Sequence, residues 1–326
     1  MRKIFSAGDS DSGPGLKEWF AMLALVRHDH LMPALGAFTH GSHFFILFEE
    51  ASETLGSYLQ SDGTSLRPEE LWKQVQGLAE GLSHLHGTNH DGQIAYHRDL
   101  KPENILIVRK VMKIADFGLL ELKSPGPLGD SGSMGHGNFD TRVYAAPQRA
   151  DGKYTRSMDV WSLGAIVSEI ATFDLQKKEG VQEYRSDRKQ DVEEGRNLFS
   201  AVFHNNGQMK QSVRDRHIRL RDKVNRSMQR QNREEIDPFQ QRFFRDTFFK
   251  MVQEMLWDGD QGCPSANEVA HRLSRLRELA QFDEPIVTKN IWQALANRTL
   301  ANSPTNANCR LQVKSFLDLG NWVTKS

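Results

Sequence analysis

Apolar residues along the chain alternate between helical and extended periodicities, and the pattern predicts a mainly helical protein with a small β component. In LKEWFAMLALV (16–26), Leu16, Phe20, Leu23 and Val26 recur every three to four residues, so a helix with that stripe buried is expected. HFFILFEEA (43–51) is a bulky run that stops at Glu49 and Glu50, the pattern of a buried strand running into a connector. From Pro68, Leu71, Val75, Leu78, Leu82 and Leu85 form a second helical stripe that ends at Gly87, a residue suited to a helix C-terminus. DVWSLGAIVSEIA (159–171) is apolar on all sides and predicts a core helix. Phe239, Phe243, Phe244, Phe248, Met251, Val252 and Met255 line a later one.

Between these two helices, residues 174–236 are polar and without a close repeat. Within 210–233, nine basic residues stand against Asp215 and Asp222, a net charge of +7. A solvated helix or mobile insertion is the expectation there, with a nuclear-import or phosphate-binding patch as the alternative. The segment after Phe282 is polar, and packing or tethering is the only role its composition implies.

Composition narrows the setting. A chain of 326 residues can bury a large core as one large domain or two modest ones. Lys+Arg and Asp+Glu are each 42, so no global field favours nucleic acid or lipid as a partner. The two cysteines, Cys263 and Cys309, are far apart and lack metal-ligand neighbours, which suits a reducing, intracellular compartment, cytoplasmic or nuclear. No apolar run follows Arg2 and Lys3, and no segment approaches eighteen apolar residues, so neither a signal peptide nor a membrane span is expected.

AYHRDLKPENILIV (95–108) sets an acid, a lysine and an asparagine close together between apolar strands, and ADFGL (115–119) follows with Asp116 seventeen residues after Asp99. HRDLKPEN and ADFGL resemble the catalytic loop and metal-binding motif of eukaryotic protein kinases. DTRVYAAPQ (140–148) resembles the end of that family's activation segment, and DVWSLG its core helix. The resemblance implies that Asp99 accepts or orients the substrate hydroxyl, that Lys101 meets the γ-phosphate of ATP, and that Asn104 and Asp116 hold Mg²⁺. It implies structural roles for His97, Phe117, Gly118 and Asp159, the last bracing the catalytic-loop backbone. Lys101, with Thr141 ahead of the tyrosine, favours the serine/threonine class. Arg98 is placed to meet a phosphate on the activation segment, with Ser131, Ser133 and Thr141 as candidate acceptors; ordinary loop residues are the alternative.

Two departures occur together: the glutamate of the family's A-P-E is Gln148, and the arginine it pairs with is Cys263. Losing one partner of a buried ion pair strands a charge at about 3 to 5 kcal/mol, whereas losing both can be nearly neutral. The fold is therefore expected to survive the double replacement.

On the nucleotide side, HFFILFEEA resembles the fifth strand and hinge. Phe48 is then the gatekeeper, and the Glu49 carbonyl and Ala51 N–H read the adenine edge. MRKI resembles the strand whose lysine grips the α- and β-phosphates, which assigns that role to Lys3; a frayed terminal lysine is the alternative. The partner glutamate position falls on Trp19, with Glu18 one residue early, a turn of about 100° around a helix. Gly13 and Gly15 follow Lys3 and read as the turn into the helix. The first two strands and the glycine-rich loop are expected to fall outside this chain, through a truncated gene model or a natural short form.

The expected architecture is α+β: a two-lobe, protein-kinase-like fold with a truncated N-lobe sheet and a mainly helical C-lobe. Residues 1–52 form the partial N-lobe and hinge, 53–282 the C-lobe, and 283–326 a tail. The implied activity is phosphotransfer from ATP with Mg²⁺ to Ser/Thr hydroxyls of a protein substrate. The alternatives are a kinase-like binding scaffold and, less favoured by Lys101, APQ and DVWSLG, a small-molecule phosphotransferase.

Overall fold

The computed structural model describes residues 1–6, 13–24, 27–62, 66–87, 92–123, 133–134, 143–147, 153–191, 201–205, 207–230, 236–257 and 262–281. The chain divides into two units, Met1–Gln281 and Phe282–Ser326. The second unit, together with Val26, Ser131, Thr141 and Gln148, lies outside the described residues.

The first unit opens with β1 (Arg2–Ser6), α1 (Pro14–Ala24), β2 (Ala34–His40) and β3 (His43–Phe48). β3 is the middle strand of an antiparallel sheet, order β1-β3-β2, with Lys3 opposite Ile46 and Ile46 opposite Ala37. The chain continues through β4 (Glu53–Thr54), α2 (Leu55–Tyr58), α3 (Pro68–His86), β5 (Ile94–Tyr96), β6 (Ile105–Val108), β7 (Val111–Ile114) and β8 (Glu121–Lys123). Then come β9 (Ser133–Met134), β10 (Lys153–Tyr154), α4 (Arg156–Gln190), β11 (His204–Asn205), β12 (Gln208–Met209), α5 (Gln211–Arg230), α6 (Pro238–Phe243), α7 (Asp246–Met255) and α8 (Ala266–Gln281).

α1 departs from its predicted orientation. Phe20 and Leu23 are 61% and 59% exposed, and the buried positions are Gly15, Glu18 and Met22. The cause is local: a Cβ at Gly15 would stand 2.7 Å from the Phe5 and Phe44 rings. Only glycine lets the helix lie this close to the sheet, and that approach fixes which face turns inward. The strand expectation for 43–51 also holds only in part, since Phe45 and Ile46 are buried while Leu47 is exposed.

Two stitches join the sheet to the helical part. The backbone of Met32 donates to Ile114 O at 2.8 Å and Ile114 N donates to His30 O at 2.8 Å, while Ser52 N donates to Ile107 O at 2.8 Å. β6 and β7 form a hairpin whose two turn residues, Arg109 and Lys110, have φ of 48° and 68°. Such a turn matches strand twist, and Arg109 then reaches the Glu49 carboxylate at 2.8 Å.

All five residues of the α3 stripe are buried, and α3 packs along α8 and β7. Trp72 sits at the centre, its ring 4.6 Å from Phe243 and edge-on to Phe244 and Phe248. The single aromatic helix expected over 239–255 is two, because Arg245 adopts an extended conformation between α6 and α7. The break lets Phe243, Phe244 and Phe248 converge on one indole.

The polar stretch after 174 is largely helical in its described parts, and the helix expected within 210–233 forms but buries one face. α4 runs to Gln190 with a kink at Lys177 (φ 59°). In a straight helix residues sixteen apart are separated by about 24 Å; here the Arg185 guanidinium lies 2.6 Å from the Glu169 carboxylate. The two halves of α4 are therefore folded back as a hairpin. The basic helix α5 packs on α4, with Arg216 buried and bonded to Gln176, Glu183 and Asp187 at 2.6, 3.2 and 3.0 Å.

His217 on α5 is buried in this junction, its Nε2 2.8 Å from Ser168 Oγ, which lies 2.9 Å from the Tyr184 hydroxyl. Burial depresses its pKa to about 4, below the ordinary value near 6.5. The unfolded chain therefore binds a proton that the folded one refuses, and stability falls as pH drops through the interval between the two values. On lowering the pH from 7.5 to 5, His217 should contribute a loss of about 2 kcal/mol. Urea unfolding of His217→Gln should show an acid limb flatter by that amount; a limb as steep as the parent's would contradict it.

Candidate active site

Four elements deliver the polar residues of the site: β1, α1, the loop between β5 and β6, and the segment after β7. Lys3, the inward residue of β1, extends to α1 and to Asp116. Its Nζ lies 2.7 Å from Glu18 Oε2 and 2.8 Å from Asp116 Oδ1. The counted position Trp19 is therefore corrected to Glu18, because the close packing of Gly15 rotates α1 until Glu18 faces the sheet. Burial pushes the Glu18 carboxyl upward against the pull of Lys3. Burial would lower Lys3, but hydrogen bonds and charges from Asp116 and Glu18 raise it. Asp116 is held below the usual carboxylate range: Lys3 outweighs the effect of its burial.

Asp116 has a left-handed backbone, φ 63° and ψ 74°, and its carboxylate accepts from Gly118 N at 3.4 Å. A Cβ on Gly118 would stand 3.2 Å from both the Asp116 and Glu18 carboxylates, so glycine leaves room for the two acids to approach the same lysine. Phe117 is buried, its ring 5.6 Å from that of His97.

In the β5–β6 loop, Asp99 Oδ2 accepts from Lys101 Nζ at 2.9 Å and from Asn104 Nδ2 at 3.0 Å. Asn104 Nδ2 also donates to the Asp99 carbonyl at 2.8 Å. The Asn104 amide nitrogen is thus spent on Asp99, which leaves its oxygen as the atom that could take a cation. Asn104 and Asp116 are hard oxygen donors of the kind Mg²⁺ takes together with phosphate oxygens, so the donor chemistry fits that ion. Among the described residues there is no cluster of three or more His, Cys, Asp or Glu arranged to hold a metal.

Asp159, in the first turn of α4, holds the loop from below. Oδ1 accepts from Arg98 N at 2.9 Å and the Tyr154 hydroxyl at 2.8 Å. Oδ2 accepts from His97 N at 2.9 Å and lies 3.0 Å from His86 Nε2. Burial would raise its pKa, but these partners hold it below the usual range. The His97 ring meets the Ala115 carbonyl at 3.1 Å, tying this loop to the segment after β7 that carries Asp116, and burial lowers its pKa.

The remaining sequence candidates are placed as follows. Arg98, at φ 70°, pairs with Glu121 at 2.8 Å, a carboxylate that the sequence reading did not single out. Ser133 is on β9. The Phe48 backbone exchanges hydrogen bonds with Met1 at 2.9 and 3.0 Å. Glu49 pairs with Arg109, and Ala51 packs on the core. Cys263 is partly buried, its Sγ facing the Ser157, Met255 and Pro264 carbonyls, and burial raises the thiol to about 11. The partners Tyr154 and His86 of Asp159 were also missed, since neither belongs to a motif and only the fold brings them together.

Asp159→Asn would offer one oxygen where two receive hydrogen bonds, leaving buried donors unmatched at about 1 to 3 kcal/mol each. The variant should lose at least about 2 kcal/mol in urea unfolding at neutral pH. A loss below about 0.5 kcal/mol would mean that these bonds do not hold the loop.

The family model for the protein kinase domain matches residues 9–272. The chain is 30% identical over 165 residues to cyclin-dependent kinase 20 of Rattus norvegicus, covering 50% of this chain and 45% of that protein. It is 30% identical over 153 residues to cyclin-dependent kinase F-3 of Oryza sativa subsp. japonica, covering 46% and 33%. It is 34% identical over 160 residues to the serine/threonine-protein kinase MAK of Rattus norvegicus, covering 46% and 23%. The chain thus spans less than half the length of these relatives. Among the described residues, no helix is long and apolar enough to cross a membrane.

Proposed function

Since the chain belongs to the protein kinase family, we propose that it transfers the γ-phosphate of ATP to serine and threonine hydroxyls of protein substrates, with Mg²⁺ held by Asn104 and Asp116. The observation that carries this reading is the convergence of Lys3 on Glu18 and Asp116, at 2.7 and 2.8 Å. A lysine from the sheet and a carboxylate from the helical part thereby meet at one point, beside which a triphosphate and its metal would lie.

Each residue has a task set by its charge. Lys3, fixed by buried Glu18, presents an ammonium to phosphate oxygens. Asp116 and the Asn104 amide oxygen present hard donors to a divalent cation, which when bound neutralises phosphate charge. Asp99 orients the acceptor hydroxyl and takes its proton. Lys101 and Asn104 hold that carboxylate in place, and Lys101 lies close enough to exchange Asp99 for a transferring phosphoryl group. Phe48, Glu49 and Ala51 are the proposed adenine contacts. The serine/threonine preference rests on Lys101 and on relatives such as MAK, which is named a serine/threonine kinase.

Asp99→Asn keeps the shape of the side chain and removes the proton acceptor. Mg-ATP-dependent labelling of a protein substrate should fall at least about 100-fold with the unfolding midpoint unchanged. Activity within tenfold of the parent would contradict the role of Asp99, and a parent that labels no protein would contradict the proposal itself.

A further inference from the structure

Beside Asp99 lies a cavity of about 420 Å³, lined by Asp99, Lys101, Glu103, Val143, Tyr144 and Met158 among others. Its wall at Val143–Ala146 is an irregular segment, without helix or strand hydrogen bonds of its own. Something else must fix it. The sequence removes the family's expected anchor, because positions 148 and 263 are Gln and Cys.

The structure supplies another. The buried Tyr144 hydroxyl donates to Glu169 Oε2 at 2.9 Å, and Glu169 is fully buried in the first half of α4. The returning half of α4 brings two arginines to the same carboxylate. Arg185 Nη2 donates to Glu169 Oε2 at 2.6 Å and to the Tyr144 hydroxyl at 3.3 Å, and its Nε donates to Oε1 at 3.1 Å. Arg188 Nη2 donates to Oε1 at 2.5 Å. Arg188 is itself clamped, with its guanidinium 4.2 Å from the Tyr184 ring centroid and 4.0 Å from that of Phe203 and its Nε donating to Ala201 O at 2.9 Å. Phe203 also meets the Tyr144 ring, centroids 5.9 Å apart. A buried carboxylate facing two guanidinium groups is a stiff support, since bidentate, charge-assisted bonds fix both distance and plane.

We propose that Arg185 and Arg188 are positioning residues for the acceptor polypeptide. Through Glu169 they hold Tyr144, and through Tyr144 the cavity wall that faces Asp99, in place of an ion pair between positions 148 and 263. The reading of Asp99 as the group that meets the acceptor hydroxyl is taken from the proposed phosphotransfer.

The test uses the full chain and Arg185→Leu, which leaves Glu169 paired with Arg188. Amide hydrogen exchange at Tyr144, Ala145 and Ala146 should accelerate at least tenfold, with α3 and the β6–β7 hairpin unchanged, and Arg185→Lys should recover most of the protection. The KM for a serine-containing acceptor peptide should rise at least fivefold, while the KM for ATP stays within twofold. Should Arg185→Leu fail to fold, Tyr144→Phe removes the single hydroxyl and should show the same local acceleration. Unchanged exchange at 144–146, or acceleration shared equally by α3, overturns the proposal. A parent without phosphotransfer overturns the functional reading alone, because the exchange experiment decides the clamp without any turnover.

Discussion

The buried carboxylate of Asp159 is the constraint on which the arrangement of the site rests. An ionised group with no exposure is costly unless its lone pairs are filled, and here donors come from the loop that carries Asp99 and from outside it. His97 N and Arg98 N donate from the loop itself, and the Tyr154 hydroxyl from β10. The position of Asp159 in the first turn of α4 adds the favourable end of the helix dipole. The bonds to His97 N and Arg98 N fix the backbone immediately before Asp99, at a point where Arg98 has positive φ. From there the His97 ring reaches the Ala115 carbonyl, and so the position of Asp116 follows from the same anchor.

α4 therefore serves the site twice. Asp159 at its start holds the loop that carries Asp99, and Glu169 holds the opposite wall through Tyr144. Both are fully buried acids in the first half of the helix, and both are satisfied by groups from outside that half. Lys3 works by the same logic on the other side of the site. It is drawn to two carboxylates from different parts of the fold, so the geometry of β1, α1 and the Asp116 turn is set by one ammonium group.

Much of this was legible in the sequence where chemistry and local pattern coincide. HRDLKPEN singled out Asp99, Lys101 and Asn104, which hydrogen-bond to one another, DFG singled out Asp116, which meets Lys3, and the Leu71 to Leu85 stripe marked the buried face of α3. The reading failed where packing overrode pattern. Apolar spacing put Phe20 and Leu23 inside, yet Gly15 allows a backbone approach that turns Glu18 inward instead, and counting could not separate Glu18 from Trp19. The basic segment 210–233 read as solvated because its residues are charged, whereas Arg216, like Arg188 before it, is buried against acids that sequence spacing does not reveal. A hydrophobicity argument cannot see a core held by paired charges, and the reversal at Lys177, a non-glycine residue with positive φ, carries no turn signal.

The central claim is that these residues form a phosphotransfer site for serine and threonine hydroxyls. Phosphoamino acid analysis tests it most directly: a protein substrate is incubated with the chain and γ-labelled Mg-ATP, hydrolysed, and its labelled residues separated. The account predicts label in phosphoserine and phosphothreonine, and its loss with Lys3→Met. Label confined to phosphotyrosine, or label in phosphoserine that persists undiminished in Lys3→Met, would contradict it.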